Sequence, residues 1–99
     1  MIADKQLHLP SRITRNRVLS AIDRERDRQD EKWGGIPGID RADHDVKYPA
    51  ILGEEFGEVC QAWLEGDVAN LRTELVQVAA VAVAWVEELD NGRFAGQAA

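Results

Sequence analysis

Glu55, Glu58 and Glu74 are the residues of this chain whose type and spacing point most directly to chemistry. Glu55 and Glu58 are three apart, which on a helix puts both carboxylates on one face, and Glu74 and Gln77 repeat that spacing further on. Between the pairs lies Gly66-Asp67, a very short turn that folds two helices back on each other. Positions equidistant from the turn then lie level, so Glu55 faces Gln77 and Glu58 faces Glu74. The four side chains mark a rectangle one helical turn high. Three carboxylates held this close repel one another, and a divalent cation relieves the repulsion. A ligand set made only of oxygens suits Mg²⁺, or Mn²⁺, rather than Zn²⁺. Ligand pairs at i, i+3 on facing helices are a known way to build metal sites in a bundle.

The elements that must position these residues are helical. Pro10 closes a loose lead-in, and Ser11 and Thr14 are candidate N-caps for a first helix running to Trp33. Its apolar residues Val18, Leu19 and Ile22 form one narrow stripe. Beyond Ile22 the pattern is polar up to Trp33, as for a half-helix that faces solvent or lines a polar site. Residues 34–45, GGIPGIDRADHD, carry three Gly and one Pro and are expected to form a long loop, suited to a lid or a substrate contact. A second helix is expected from about Tyr48 to Glu65, with Leu52, Phe56, Val59 and Trp63 as its apolar stripe. Gly66 suits the left-handed C-terminal position and Asp67 caps a third helix from Val68 to about Leu89, which Asn91-Gly92 ends. From Val78 to Val86 that helix is apolar all round, which calls for burial on every side. Three helices in a chain of 99 residues do not provide that cover, so a second subunit is expected. The fold class expected is all-α: an antiparallel helical hairpin plus an N-terminal helix, assembling into a four-helix-bundle-type oligomer. It is read as one domain, 1–99, with 1–10 and 93–99 as loose tails.

Bulk properties narrow the function classes. The chain is 44% apolar and 30% charged, with net charge −6. Residues 1–28 hold seven Lys/Arg against four Asp/Glu, a net of +3; the rest holds five against fourteen, a net of −9. An acidic body argues against nucleic acid as a partner, because phosphate neutralisation dominates that affinity. It suits a protein that gathers cations, while the basic first segment can meet the phosphates of a small ligand. Cys60 is the one cysteine, which excludes an internal disulfide and fits a reducing cytoplasm. The start MIADKQLHLP does not read as a signal peptide, and the nine-residue apolar run is short of the roughly 20 needed to span a bilayer. A soluble, cytoplasmic protein without a membrane partner is expected. His8 and His44 lack His or Cys partners at ligand spacing. Cys60 reads as a small packing residue, Trp85 as core, and GGIPG lacks the Lys-Ser/Thr of a phosphate-binding loop.

EEFGE (54–58), fifteen residues, then ELVQ (74–77) resembles the EExxE…ExxD signature of the MazG-like, all-α nucleoside triphosphate pyrophosphohydrolases. ERDRQDEKWG (25–34) and VAAVAVAW (78–85) are similar to segments that flank that signature, so the resemblance spans roughly residues 20–90. It implies dimers or tetramers with a four-helix-bundle core. It also implies Mg²⁺-dependent cleavage of an NTP or dNTP between the α- and β-phosphates, giving a monophosphate and pyrophosphate. The family's metal ligands fall on Glu55, Glu58 and Glu74, and its Asp is Gln77 here, an amide that can ligate without bringing charge. Within that expectation Glu58 is essential to turnover and Glu54 is the candidate to orient or deprotonate water. Arg28 and Lys32 are placed to hold phosphates, Trp33 to stack on a base, with Trp63 second to it but more readily core. Gln29 can read a base edge, although a solvated glutamine is its ordinary state. Phosphoribosyl-ATP pyrophosphohydrolase is a related alternative. A non-catalytic helical oligomer that binds nucleotide or a partner protein is the other class, and Gln77 favours it.

Overall fold

The computed structural model describes residues 11–34 and 41–92, without the side chains of 33, 34 and 41–47. Within them the chain is helical and contains no strand: α1 (Arg12–Gln29), a π-helical turn (Asp30–Gly34), α2 (Arg41–Glu65) and α3 (Val68–Asp90). Among the described residues, no helix is long and apolar enough to cross a membrane.

Local chemistry sets most of the boundaries. Ser11 caps α1: its hydroxyl oxygen accepts from the Thr14 backbone N–H at 3.0 Å. Arg26 and Arg28 lie in the last turn, where positive charge suits the helix dipole. The α2–α3 turn is a Schellman closure: Asp67 N donates to Ala62 O and Gly66 N to Trp63 O, both at 3.1 Å. It needs a left-handed residue, and Gly66 supplies it at φ +70°. Asp67 then caps α3, its carboxylate accepting from Asn70 N at 3.1 Å. Asn91 and Gly92 (φ +78°) end α3.

The start of α2 differs from the expectation. The helix begins at Arg41, so residues 41–45 are helical rather than loop, and Pro49 sits inside it. Residues 35–40, the rest of the expected lid, lie outside the described residues, as do the expected tails 1–10 and 93–99. The clustered Gly and Pro residues stop at Gly38, and the isolated Pro49 removes one backbone donor without ending the helix. Tertiary packing offsets this: Tyr48 stacks on Trp85 of α3, rings parallel within 6° and centroids 5.6 Å apart.

The core is narrow and made of small residues. Its buried apolar residues are Val59 and Ala62 of α2 and Ala80, Val81 and Ala84 of α3, at different levels of the hairpin. α1 packs on α3 through its C-terminal half, while Ile13, Val18 and Leu19 are exposed and Ile22 is half-buried.

Several burial expectations are corrected. Trp63 is 71% exposed and Phe56 59%, although both lie on the stripe with buried Val59. Cys60 is exposed, and Trp85 is half-buried. Val83 and Val86 of α3 face outward, so the three helices of one chain leave part of Val78–Val86 uncovered, as the sequence led one to expect. The physical reason is common to these residues. The apolar surface of the hairpin is wider than the face α2 and α3 cover for each other, and α1 reaches only part of the remainder. The uncovered part includes an apolar groove of about 550 Å³ lined by Val59, Cys60, Trp63, Leu64, Leu71 and Leu75.

Candidate metal centre

The hairpin brings its level positions together. Glu55, Glu58 and Glu74 each offer a carboxylate oxygen, and the three oxygens lie within 4.8 Å of one another. Glu58 and Glu74 share a hydrogen bond across the helices. The amide end of Gln77 reaches Glu55 Oε2 at 3.1 Å and Glu74 Oε1 at 3.0 Å. Both neighbours are acceptors, so the atom that meets them is assigned as Nε2, donating to each. The four corners read from the spacing therefore come together.

Burial distinguishes the corners. Glu74 is 7% exposed and its Oε2 has no hydrogen-bond partner among the described residues. Glu55 and Gln77 are half-buried and Glu58 is exposed. A buried carboxylate oxygen without a donor is costly, and here it belongs to one of the three convergent carboxylates. The Glu74 carboxyl is pushed up to about 7, first by the hydrogen bond shared with Glu58, then by burial and by the charges of Glu58 and Glu55. Burial, then the charges of Glu58, Glu54 and Glu25, also holds Glu55 above the usual carboxylate range, while Lys32 works in the opposite direction. Three carboxylate oxygens at this spacing can hold a metal ion.

α1 flanks the Glu55 end of the cluster. Arg28 grips Glu25 through two bonds, Nε to Oε1 at 2.8 Å and a second guanidinium nitrogen to Oε2 at 2.6 Å. That grip holds the Glu25 carboxyl below its ordinary value. Half of the Arg28 side chain remains exposed. The charge of Lys32 acts on both Glu25 and Glu55. Gln29 is not a solvated glutamine: at 4% exposure, its Nε2 donates to Glu25 Oε2 at 3.1 Å and to the backbone oxygen of Gln77 at 3.4 Å. Helix phase turns it inward, onto α3, and engages both amide hydrogens. Glu54 is exposed and stands outside the three-carboxylate group. The side chain of Trp33 lies outside the described residues.

Glu25 is the residue that sequence reasoning passed over. Its carboxylate side chain is 12% exposed and its charge reaches Glu55. The available signal was the Glu25-x-x-Arg28-Gln29 spacing in a half-helix already marked as polar.

Comparison of the chain with family models, with curated proteins and with solved structures finds no match.

Proposed function

We propose that this chain is a Mg²⁺-dependent nucleoside triphosphate pyrophosphohydrolase, converting NTP or dNTP and water to a monophosphate and pyrophosphate. One observation carries the reading: Glu74 Oε2, buried and without a donor, sits within a set of three carboxylates contributed by both arms of a helical hairpin. The resemblance of EEFGE…ELVQ to the MazG-like signature supports the reaction type.

In this reading Glu55, Glu58 and Glu74 hold the cation, Mg²⁺ or Mn²⁺, and Gln77 offers its amide oxygen. When bound, the ion neutralises charge on phosphate oxygens and acidifies water. Arg28 and Lys32, on the flank nearest Glu55, take the remaining phosphate charge, and Arg28 exchanges Glu25 for phosphate as it does so. Trp33, whose side chain lies outside the described residues, is the base-stacking candidate from the sequence alone. Glu54, free of the carboxylate group, orients the attacking water and accepts its proton. Gln29 acts here as a positioning residue, holding α1 against α3, because its amide hydrogens are engaged within the protein.

A second copy of the chain covers the exposed Phe56, Trp63, Leu64 and Leu75, giving a homodimer or homotetramer with a four-helix-bundle core. A cytoplasmic location suits the exposed thiol of Cys60.

Pyrophosphate release over a panel of NTPs and dNTPs, with Mg²⁺ or Mn²⁺, tests the activity. Turnover of at least one nucleotide is expected, and a folded, metal-loaded oligomer that turns over none of them overturns the enzyme reading. The second reading, a helical oligomer that binds nucleotide without turnover, is favoured by the neutral amide at Gln77. Nucleotide binding by calorimetry in the absence of pyrophosphate release is its signature.

A further inference from the structure

We propose that Gln77 is a two-position corner of the metal site, its amide nitrogen holding the carboxylates together when no cation is bound and its amide oxygen turning in to ligate when one is. The inference rests on the metal-binding reading above and adds the role of this one side chain. Its terminal atom lies 3.1 Å from Glu55 Oε2 and 3.0 Å from Glu74 Oε1, so one NH₂ group bridges carboxylates from the two arms of the hairpin. The amide nitrogen and oxygen occupy nearly the same volume, and a half turn about the last side-chain bond exchanges them. A donor pair thus becomes an acceptor at the same point in space with no backbone movement. The backbone is tethered there: the Gln77 carbonyl accepts from buried Gln29. Glu74 Oε2, buried and lacking a donor, is left unsatisfied by the amide alone.

A carboxylate at position 77 cannot do both. It would ligate more strongly, but in the absence of metal it adds a fourth negative charge in place of two hydrogen bonds. Gln77 therefore lets the metal-free protein keep its hairpin closed, at the expense of affinity for the ion.

The test compares the full-length protein with its Gln77→Glu and Gln77→Met variants. Melting is followed in EDTA and in Mg²⁺, binding of Mg²⁺ and Mn²⁺ by calorimetry, and side-chain amide exchange by NMR. Gln77→Glu is expected to melt several degrees below wild type in EDTA and to bind Mg²⁺ about tenfold more tightly. Gln77→Met, of similar volume without donor or amide oxygen, is expected to lose on both counts. The Gln77 NH₂ resonances, assigned by their absence from both variants, should be protected from exchange in EDTA and exchange faster in Mg²⁺. Wild type and Gln77→Glu melting alike in EDTA, or Gln77→Met binding Mg²⁺ as tightly as wild type, overturns the two-position role while leaving the metal site standing. Wild type that shows neither a melting shift nor binding heat with either ion overturns the metal reading itself, and the two-position role with it.

Discussion

Arg26 clasps Glu87 across a sequence separation of 61 residues, Nε to Oε2 at 3.1 Å and a terminal guanidinium nitrogen to Oε1 at 2.8 Å. The same guanidinium reaches Asp30 Oδ1 at 2.6 Å. The pair ties α1 to α3 near the C-terminal ends of both helices. Two-point geometry makes such a pair stronger than a single surface contact, and the side chain of Arg26 is 14% exposed against 49% for Glu87. A double-mutant cycle with Arg26→Ala and Glu87→Ala is expected to give a coupling of about 1 kcal/mol in urea unfolding, discounted for the solvent around Glu87. A coupling near zero would mean that α1 docks by packing alone.

Gln29 and Arg28 are adjacent and should separate cleanly by phenotype. Gln29→Ala removes a buried side chain with two hydrogen bonds and is expected to destabilise by about 2 kcal/mol, a fall of roughly 8–16 °C in melting temperature for a domain of this size. Arg28→Ala should change stability by less than about 1 kcal/mol and instead raise KM for nucleotide. Equal stability losses from the two would contradict the division into positioning and phosphate-binding roles.

The pH dependence follows from Glu74. Its folded carboxyl titrates near 7, above the ordinary 4.5, so the folded chain holds this proton more tightly than the unfolded chain. The stability it contributes is complete below the unfolded value and is lost as pH rises through the folded one. In EDTA the melting temperature should therefore fall by at least about 5 °C between pH 5 and pH 8. The fall should shrink in Glu74→Gln and, on the proposed metal reading, in the presence of Mg²⁺. Glu25 and Glu87 are held below the ordinary range by Arg28 and Arg26, so they stay charged throughout this window and do not generate the slope. A melting temperature that climbs across the window in EDTA would refute the assignment.

Glu58→Gln isolates function from folding. Removing one of three crowded charges should raise the melting temperature in EDTA, because the repulsion with Glu74 and Glu55 is reduced. The same change should abolish the Mg²⁺-dependent melting shift and lower pyrophosphate release by at least about 100-fold. Full activity in a folded Glu58→Gln protein would remove the carboxylate cluster from the reaction.

Much of the architecture was legible in the residues because the rules that set it act within a few positions. Ser11 caps α1 through Thr14, Gly66 takes the left-handed angle that ends α2, and Asp67 opens α3. With that turn in place, helical periodicity alone set Glu58 against Glu74 and Glu55 against Gln77, and the side chains meet as counted. The tertiary structure decided what depends on how the helices dock. α1 lies on α3 rather than standing in solvent, so Gln29 is buried and Glu25 comes within electrostatic reach of Glu55. The stacking of Tyr48 on Trp85 accompanies a helix that passes through Pro49, which local signals alone placed near its start. Trp63 and Cys60 share the helical spacing of core residues yet remain exposed. Periodicity identifies an apolar face; only the packing of distant segments determines which part of that face is covered.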